Sequence, residues 1–120
     1  MGDALAVIPT YRPDRAGLLA LLADLQAAEL PVLVSDDASP ATSDRLLAEI
    51  AASGVPVCRH VRNAGIARGL NEGLWLAKQQ GATWLLTVDQ DTRLTPDTLR
   101  RLQQTANSAD RIGVVGVQVI

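Results

Sequence analysis

An apolar run of strand length, Thr83-Trp84-Leu85-Leu86-Thr87-Val88-Asp89-Gln90-Asp91-Thr92, ends in two aspartates separated by one residue. It predicts a buried strand that delivers acidic groups to the edge of a sheet. Side chains two residues apart in an extended chain share a face, so Asp89 and Asp91 are expected to form one acidic patch. At roughly 6.5 Å apart, they do not easily chelate one ion together.

This acidic patch has two interpretations. In the first, one carboxylate binds a hard divalent cation, while the other accepts a hydrogen bond from a sugar hydroxyl or orients a metal-bound water. In the second, both acids cap the next helix and solvate a loop. The position directly after a predicted strand favours the first interpretation.

Short apolar runs alternate with segments of helical periodicity along the chain. Strands are predicted at Ala4–Ile8, which Pro9 should end, and at Pro31–Ser35, Val55–Val61, the run described above and Gly113–Ile120. Helices are predicted from Leu18 to Leu30, with Pro13 as a possible first residue, and at Ala41–Ala52, Arg62–Gln80 and Pro96–Ala106. The pattern predicts an α/β fold with a mostly parallel, Rossmann-like sheet and helices on both faces.

Two predicted helices start with a capping signal. Ser39 precedes Pro40, and Thr95 precedes Pro96 and Asp97. A serine or threonine oxygen can accept a hydrogen bond from a free N–H of the first turn, where proline also fits. Ser39 and Thr95 are therefore predicted to be N-caps.

Composition excludes several classes of function. A net charge of −2 and a pI near 5.2 argue against nucleic-acid binding, and the aromatic content of 2% is too low for a base-stacking platform. No apolar run approaches the roughly 18 residues that span a bilayer. The first residues do not resemble a secretion signal, and Cys58 has no second cysteine to pair with, so a cytoplasmic location is expected.

A second acidic loop follows the second predicted strand, at Asp36 and Asp37. The two acids alone could simply mark a helix start, but the carboxyl ends of parallel strands meet at one edge, where ligands bind. Neither G-x-G-x-x-G after the first strand nor G-x-x-x-x-G-K-[ST] occurs, so phosphate binding through glycine amides lacks support. A diphosphate beside four carboxylates needs a divalent cation, and oxygen ligands suit Mg²⁺ or Mn²⁺.

Glycines recur every four residues in the third predicted helix, at Gly65, Gly69 and Gly73. Each interior glycine costs about 1 kcal/mol relative to alanine, so the stripe needs a reason. Close packing of the helix backbone on the sheet is one explanation, and a ligand lying along this face is the other. Arg68 and Asn71 flank the stripe and could reach the same ligand.

Three further side chains are assigned structural roles. His60 is the only histidine and has no cysteine pair nearby, so a structural or solvated role is expected rather than metal binding. Trp75 and Leu76, in the glycine-containing helix, are expected to face the core.

Four motifs resemble those of the family 2 glycosyltransferases in order and spacing: Pro9-Thr10-Tyr11-Arg12, Ser35-Asp36-Asp37-Ala38-Ser39, Arg62-Asn63-Ala64-Gly65 with Asn71-Glu72-Gly73, and Asp89-Gln90-Asp91. The resemblance implies the GT-A fold, with this chain supplying its N-terminal, nucleotide-binding half. The Asp-Gln-Asp-Thr form most resembles the bacterial rhamnosyltransferase branch. Ala38 replaces a glycine that is common in the second motif.

The resemblance also implies roles for individual residues. Pro9, Thr10 and Tyr11 would line the nucleobase pocket, and Asp37 would accept a hydrogen bond from the base. Asp89 would face the ribose or the donor sugar, and Asp91 would hold the metal that bridges the diphosphate. Uracil and thymine carry an N3–H donor and cytosine does not, so Asp37 would select U or T over C. Residues matching the family's segment near the nucleotide are Asn63, Gly65, Arg68 and Asn71.

The implied activity is transfer of a sugar from a UDP- or dTDP-linked donor, with dTDP-rhamnose as a candidate, to an acceptor hydroxyl in bacterial glycan synthesis. Mn²⁺ or Mg²⁺ would neutralise charge on the departing diphosphate. The general base, and the site for a glycan or lipid-linked acceptor, are expected beyond residue 120, so no catalytic residue is assigned and the fragment is expected to be inactive. The full-length enzyme could work at the inner face of the membrane, and an open edge at residues 114–120 would favour self-association.

Three other classes remain as alternatives. A signalling receiver domain would place its acidic pair after the first strand and a lysine after the fifth, whereas no lysine follows Lys78. A sugar nucleotidyltransferase would carry a glycine-rich, basic loop after the first strand, where only Arg12 and Arg15 occur. A noncatalytic nucleotide-binding module would have the same sequence features as a truncated enzyme.

Overall fold

The computed structural model describes residues 3–117. Its strands are β1 (Ala4–Thr10), β2 (Val32–Asp36), β3 (Val57–Arg59) and β4 (Trp84–Thr87). Its helices are α1 (Arg15–Ala27), α2 (Asp44–Ala52), α3 (Ile66–Gln79) and α4 (Pro96–Ala106), with a 3-10 turn at Ala41–Ser43. The strands form one parallel sheet in the order β3-β2-β1-β4, which confirms the predicted α/β fold.

The β1 strand lies at the centre of the core, and its residues from Ala4 to Ile8 are at most 3% exposed. Ala4, Ala6 and Ile8 belong to one apolar cluster with buried leucines of α1, α2 and α4. The other face of β1 packs against α3, where Val7 lies beside Gly73. Helices therefore cover both faces, which explains why β1 is continuously apolar instead of alternating.

The prediction that Pro9 ends the first strand is wrong, because β1 continues to Thr10. The Val7 carbonyl accepts a hydrogen bond from Val88 on the β4 side, whereas the Thr10 carbonyl accepts one from Asp37 on the β2 side. Backbone groups alternate sides along a strand, so the nitrogen of Pro9 faces the β4 side. The β4 ladder has already ended opposite Val7, so no partner there needs an N–H from proline.

The glycine stripe is explained by close packing of α3 on the sheet. A Cβ on Gly73 would lie 2.6 Å from the Cβ of Val7, and one on Gly69 would lie 3.0 Å from Ser35 Oγ. Gly65 is not part of the helix, although the prediction started the helix at Arg62: it is the N-cap of α3, with a φ of +88°. A positive φ is a conformation that glycine adopts without strain.

Helix starts differ from the prediction at two further places. Asp14 caps α1 by accepting a hydrogen bond from Gly17, so Pro13 lies before the helix. Ser39 is not a cap, because its hydroxyl donates to Asp36 and no side chain caps the turn that begins at Ala41. Thr95 does cap α4, and the predicted bounds of that helix are confirmed.

Two apolar predictions are wrong. Trp75 is 63% exposed rather than buried in the core, although Leu76 is half-buried. Residues 113–117 form no strand, and Val114 is 90% exposed. The rest of the predicted fifth strand, residues 118–120, lies outside the described residues.

Within residues 3–117, no helix is both long and apolar enough to cross a membrane.

Candidate functional site

The chain reverses direction across the sheet at β1, since β2 and β3 lie on one side of it and β4 on the other. Ligand-binding crevices of open parallel sheets form at such a point, beyond the carboxyl ends of the strands. A cleft of about 340 Å³ lies there, lined by Pro9, Thr10, Tyr11, Asp37, Ile66, Asp89, Gln90 and Asp91. The volume is within the range of small-ligand sites.

Residues of three separate motifs meet in this cleft. Pro9 and Tyr11 come from the end of β1, Asp37 follows β2, and Asp91 follows β4. Ile66, the first residue of α3, also lines the cleft and was not predicted from the sequence. Its place directly after the N-cap of α3 is the signal that could have identified it. A larger hollow of about 600 Å³ lies near the amino ends of β2 and β3, away from these acids.

The acidic pair lies in a turn, not on the strand as predicted. β4 ends at Thr87, and the Thr92 N–H donates to the Asp89 carbonyl at 3.1 Å. The separation of an extended chain therefore does not apply, and both Asp89 and Asp91 are exposed and line the cleft. Hard divalent cations bind such carboxylate oxygens together with waters and substrate phosphates. The residues present therefore fit the Mn²⁺ or Mg²⁺ that the sequence predicts.

Gln90 holds this turn against the end of β1. The Tyr11 backbone N–H donates to Gln90 Oε1 at 2.9 Å, and Gln90 Nε2 donates to the Tyr11 carbonyl at 3.0 Å. The side-chain amide thus pairs with both backbone groups of one residue, as a neighbouring strand would. It links the loop after β1 to the acidic turn across the point where the chain reverses.

The two acids after β2 have different roles. Asp36 is fully buried and accepts hydrogen bonds from Thr10 Oγ1 at 2.7 Å and from the Ser39 hydroxyl and N–H at 2.7 and 3.0 Å. The Nε atom of Arg59 lies 3.6 Å from Oδ2 of Asp36. Asp36 therefore connects β1, β3 and the loop after β2, and only Asp37 lines the cleft.

Asp37 is held by the start of α3. Its carboxylate accepts hydrogen bonds from the backbone N–H groups of Ala64 at 2.7 Å and Gly65 at 3.0 Å, and from His60 Nδ1 at 3.0 Å. The Ala64 hydrogen bond and then the His60 contact lower the pKa of Asp37, so the side chain is ionised. Oδ1 accepts from Ala64 and His60, whereas Oδ2 accepts only from Gly65 among these donors. Oδ2 can therefore accept another hydrogen bond.

Ala38 occupies a position that favours glycine. Its φ is +59°, in the left-handed region where a Cβ is strained. This geometry explains why a glycine is common at this position of the second glycosyltransferase-like motif. The strained turn separates Asp37, in the cleft, from Ser39, which is bonded to the buried Asp36.

His60 lies at the centre of a polar network beneath α3. Its ring nitrogens are 3.0 Å from Asp37 Oδ1 and 2.5 Å from Glu72 Oε1. Ser35 Oγ and Cys58 Sγ also donate to Glu72, at 2.7 and 2.9 Å. Burial opposes ionisation of Glu72, but these donors outweigh it and lower its pKa, while the Glu72 hydrogen bond raises the pKa of Cys58 to about 11.

The expected structural role of His60 agrees with its burial, but the sequence interpretation missed its contact with Glu72 on α3 and the hydrogen bond from Cys58 on β3 to the same carboxylate. Cys58 was considered only as the single cysteine and Glu72 only as part of the Asn71-Glu72-Gly73 motif, and neither was expected to contact the other. The strand register and the packing of α3 bring their side chains together. Cys58, His60 and Glu72 offer possible metal-ligand atoms within 4.8 Å of one another.

The other predicted nucleotide-binding residues do not all reach the cleft. Gly65 contributes its N–H to Asp37, and Asn63 is exposed in the loop before α3. Arg68 and Asn71 line a separate hollow of about 670 Å³ between α3 and β3, together with Trp75. The structure therefore separates these two side chains from the acidic cleft.

The parallel sheet with its helices is the Rossmann-like N-terminal half of a GT-A fold. The chain belongs to glycosyl transferase family 2, whose sequence profile matches residues 5–120.

Two relatives illustrate the range of this similarity. The dTDP-rhamnosyl transferase RfbF of Shigella flexneri is 33% identical over 97 residues, which cover 81% of this chain and 32% of that protein. The hyaluronan synthase of Streptococcus pyogenes is 30% identical over 109 residues, covering 85% of this chain and 26% of that protein. The chain thus spans about a third or less of the length of these curated relatives.

Proposed function

We propose that this chain binds the nucleoside-diphosphate part of a sugar donor, with a divalent cation, in the cleft between the ends of β1 and β4. Membership of a glycosyltransferase family supports a transferase role. The observation that carries the proposal is the meeting of Asp37, Asp89 and Asp91, from two separate strand ends, in one cleft at the chain reversal.

The nucleobase would lie beside Tyr11, Pro9 and Asp37. Tyr11 is 43% exposed and lines the cleft, so its ring is accessible to a ligand. The free acceptor position on Asp37 Oδ2 suits the N3–H of uracil or thymine, and cytosine has no donor there. The similarity to a dTDP-rhamnosyl transferase supports thymine, with rhamnose as the candidate sugar.

The diphosphate would lie towards Asp91, with Asp89 beside the ribose or the donor sugar. Three carboxylates in one cleft repel a diphosphate unless a cation reduces the charge between them. Mn²⁺ or Mg²⁺ at Asp91 would neutralise charge on the departing nucleoside diphosphate. The acceptor, a glycan or lipid-linked hydroxyl, and its general base would belong to other parts of the whole protein.

Calorimetric titration with UDP, dTDP and CDP, with and without Mn²⁺, tests this proposal. We expect UDP or dTDP to bind only with Mn²⁺ and CDP to bind more weakly. Asp91→Asn should remove the metal dependence together with most of the affinity, and Asp37→Asn should reduce discrimination against CDP. Asp110→Asn makes the same charge change at an exposed position away from the cleft and is the matched control.

Nucleotide binding that ignores both the cation and the Asp91 substitution would overturn the site. Incubation with a nucleoside triphosphate and a sugar phosphate separates the proposal from the nucleotidyltransferase alternative, because only that enzyme would release pyrophosphate.

A further inference from the structure

We propose that His60, as a doubly protonated imidazolium, positions Asp37 for the nucleobase, so that donor affinity falls when His60 loses its second proton. The inference rests on the proposed function, because it concerns the carboxylate that would contact the base. His60 would be a positioning residue, since it lies behind Asp37 and does not line the cleft.

The hydrogen-bond geometry requires two donors on the ring. Nδ1 faces Asp37 Oδ1 at 3.0 Å and Nε2 faces Glu72 Oε1 at 2.5 Å. Ionised carboxylates only accept hydrogen bonds, whereas a neutral imidazole has a single N–H. If the ring were neutral, the nitrogen without a proton would direct its lone pair at a carboxylate lone pair, and that contact would be repulsive. The His60 side chain is 2% exposed, so water has little access to relieve that repulsion.

The charged groups around the ring favour the imidazolium. Burial and the positive charge of Arg68 act against it, but the carboxylates of Asp37 and Glu72 outweigh both and raise the pKa of His60. Glu72 is itself stabilised as the anion by three donors: Ser35 on β2, Cys58 on β3, and His60 directly after β3. Cys58 stays a neutral thiol, because its pKa is about 11.

The proton on Nδ1 is one of three donors that fix the orientation of Asp37. The other two, Ala64 and Gly65, come from the start of α3, which also contributes Ile66 to the cleft. Loss of the Nδ1 proton would remove a charge-assisted hydrogen bond and release the carboxylate towards other rotamers. The lone pair of Oδ2 that faces the base would then be less well oriented.

A zinc ion is the competing explanation for Cys58, His60 and Glu72, which offer atoms within 4.8 Å of one another. Two ligands at about 2.0 Å from a tetrahedral zinc lie roughly 3.3 Å apart. His60 Nε2 and Glu72 Oε1 are 2.5 Å apart, which is closer than two ligands of one zinc ion and nearer to the roughly 2.7–2.9 Å of a charge-assisted N–H···O hydrogen bond. The distance therefore favours a direct hydrogen bond between the two side chains over a shared metal.

The protonation state can be measured directly, because His60 is the only histidine in the chain. Nitrogen-15 NMR of histidine-labelled protein should show both ring nitrogens with imidazolium shifts at pH 7 and a titration above the ordinary value of 6.5. Neutral shifts at pH 7 would overturn the inference. One equivalent of tightly bound zinc that Cys58→Ser removes would overturn it too.

The consequence for binding is tested by titrating the nucleotide in Mn²⁺ from pH 6 to pH 9. The dissociation constant of the wild type should rise by about tenfold as the ring titrates, the size expected for one charge-assisted hydrogen bond. His60→Gln, which carries no titrating proton, should bind weakly with a flat profile. His60→Asn places an amide near the position of Nδ1 and should restore part of the affinity, also without pH dependence.

The outcomes separate this inference from the proposed function. Tight binding that stays constant while the ring titrates would overturn the inference and leave the nucleotide site intact. A lack of nucleotide binding at every pH would overturn both. Thermal unfolding of each variant across the same pH range shows whether a loss of affinity reflects a loss of fold.

Discussion

Asp24 on α1 and Arg93, just after the acidic turn, form a two-point ion pair. Arg93 Nε and Nη2 donate to the two oxygens of Asp24 at 2.8 and 3.1 Å, and the Leu94 N–H donates to the same carboxylate at 2.9 Å. These contacts join segments about 70 residues apart in the chain. The acidic turn is thus fixed at two points. Asp24 on α1 binds the segment just after Asp91, and Gln90, which lies between Asp89 and Asp91, binds the Tyr11 backbone.

The Asp24 contacts predict a pH dependence of stability. Hydrogen bonds from Arg93 and then from Leu94 lower the pKa of Asp24 from 3.8 to about 2. A lowered pKa means that the stabilisation is fully present above the unfolded-state value and is lost as the pH falls towards the folded-state value. Denaturant unfolding of wild type and Asp24→Asn should therefore differ by a constant amount above about pH 5 and converge towards pH 2.

Asp110→Asn is the control for this experiment, since it makes the same change on the exposed surface. Its difference from the wild type should be small and should not follow the same curve. A difference between wild type and Asp24→Asn that is as large at pH 2 as at pH 5 would contradict the assignment.

Gln90→Ala should weaken cation-dependent nucleotide binding as well as lower the free energy of unfolding. The substitution removes two hydrogen bonds to the Tyr11 backbone, each worth about 1 kcal/mol at most sites, and frees the turn that carries Asp89 and Asp91. We expect roughly tenfold weaker binding in calorimetry with Mn²⁺. Gln104→Ala, at an exposed position of α4, should leave binding unchanged. Equal affinities for the two variants would show that the pair does not order the turn.

Local signals in the sequence account for the parts of the fold that were predicted well. The bounds of α4 follow from Thr95, Pro96 and Asp97, which act within one helical turn. The meeting of Asp37 with the acidic turn follows from topology, because the ends of parallel strands share an edge. These features depend on residue type and chain order rather than on details of packing.

The misassigned residues depend on which face of an element is buried. Trp75 follows Gly73 by two residues, which is about 200° around a helix, so it points away from the sheet once Gly73 packs on Val7. Asp36 and Asp37 are the same residue type, and the structure separates them because Asp36 is the last buried residue of β2, whereas Asp37 lies in the loop after it and lines the cleft. Pairing of Cys58 with Glu72 likewise requires the packed structure.

Gly73→Ala tests the packing of α3 on β1 by the sign of its effect. In an isolated helix the change would stabilise by about 1 kcal/mol. Here the new methyl group would lie 2.6, 2.8 and 2.9 Å from Cβ, Cγ1 and Cγ2 of Val7, and overpacking of this kind costs about 1–3 kcal/mol. We expect net destabilisation in denaturant unfolding. The loss should be less than additive when Gly73→Ala is combined with Val7→Ala, because the second substitution removes two of these three atoms. A stabilised Gly73→Ala, or simple additivity, would place α3 farther from the sheet.

Asp36→Asn and Asp44→Asn compare a buried and an exposed carboxylate that share Arg59 as a partner. Asp36 is fully buried and accepts hydrogen bonds from Thr10 and Ser39, so an amide there turns N–H groups towards existing donors. We expect a loss of about 2–4 kcal/mol in the free energy of unfolding. Asp44 lies on the surface, where an ion pair contributes about 0–1 kcal/mol. Similar losses for the two variants would mean that Asp36 acts mainly through Arg59, and not through the hydrogen bonds that join β1 to the loop after β2.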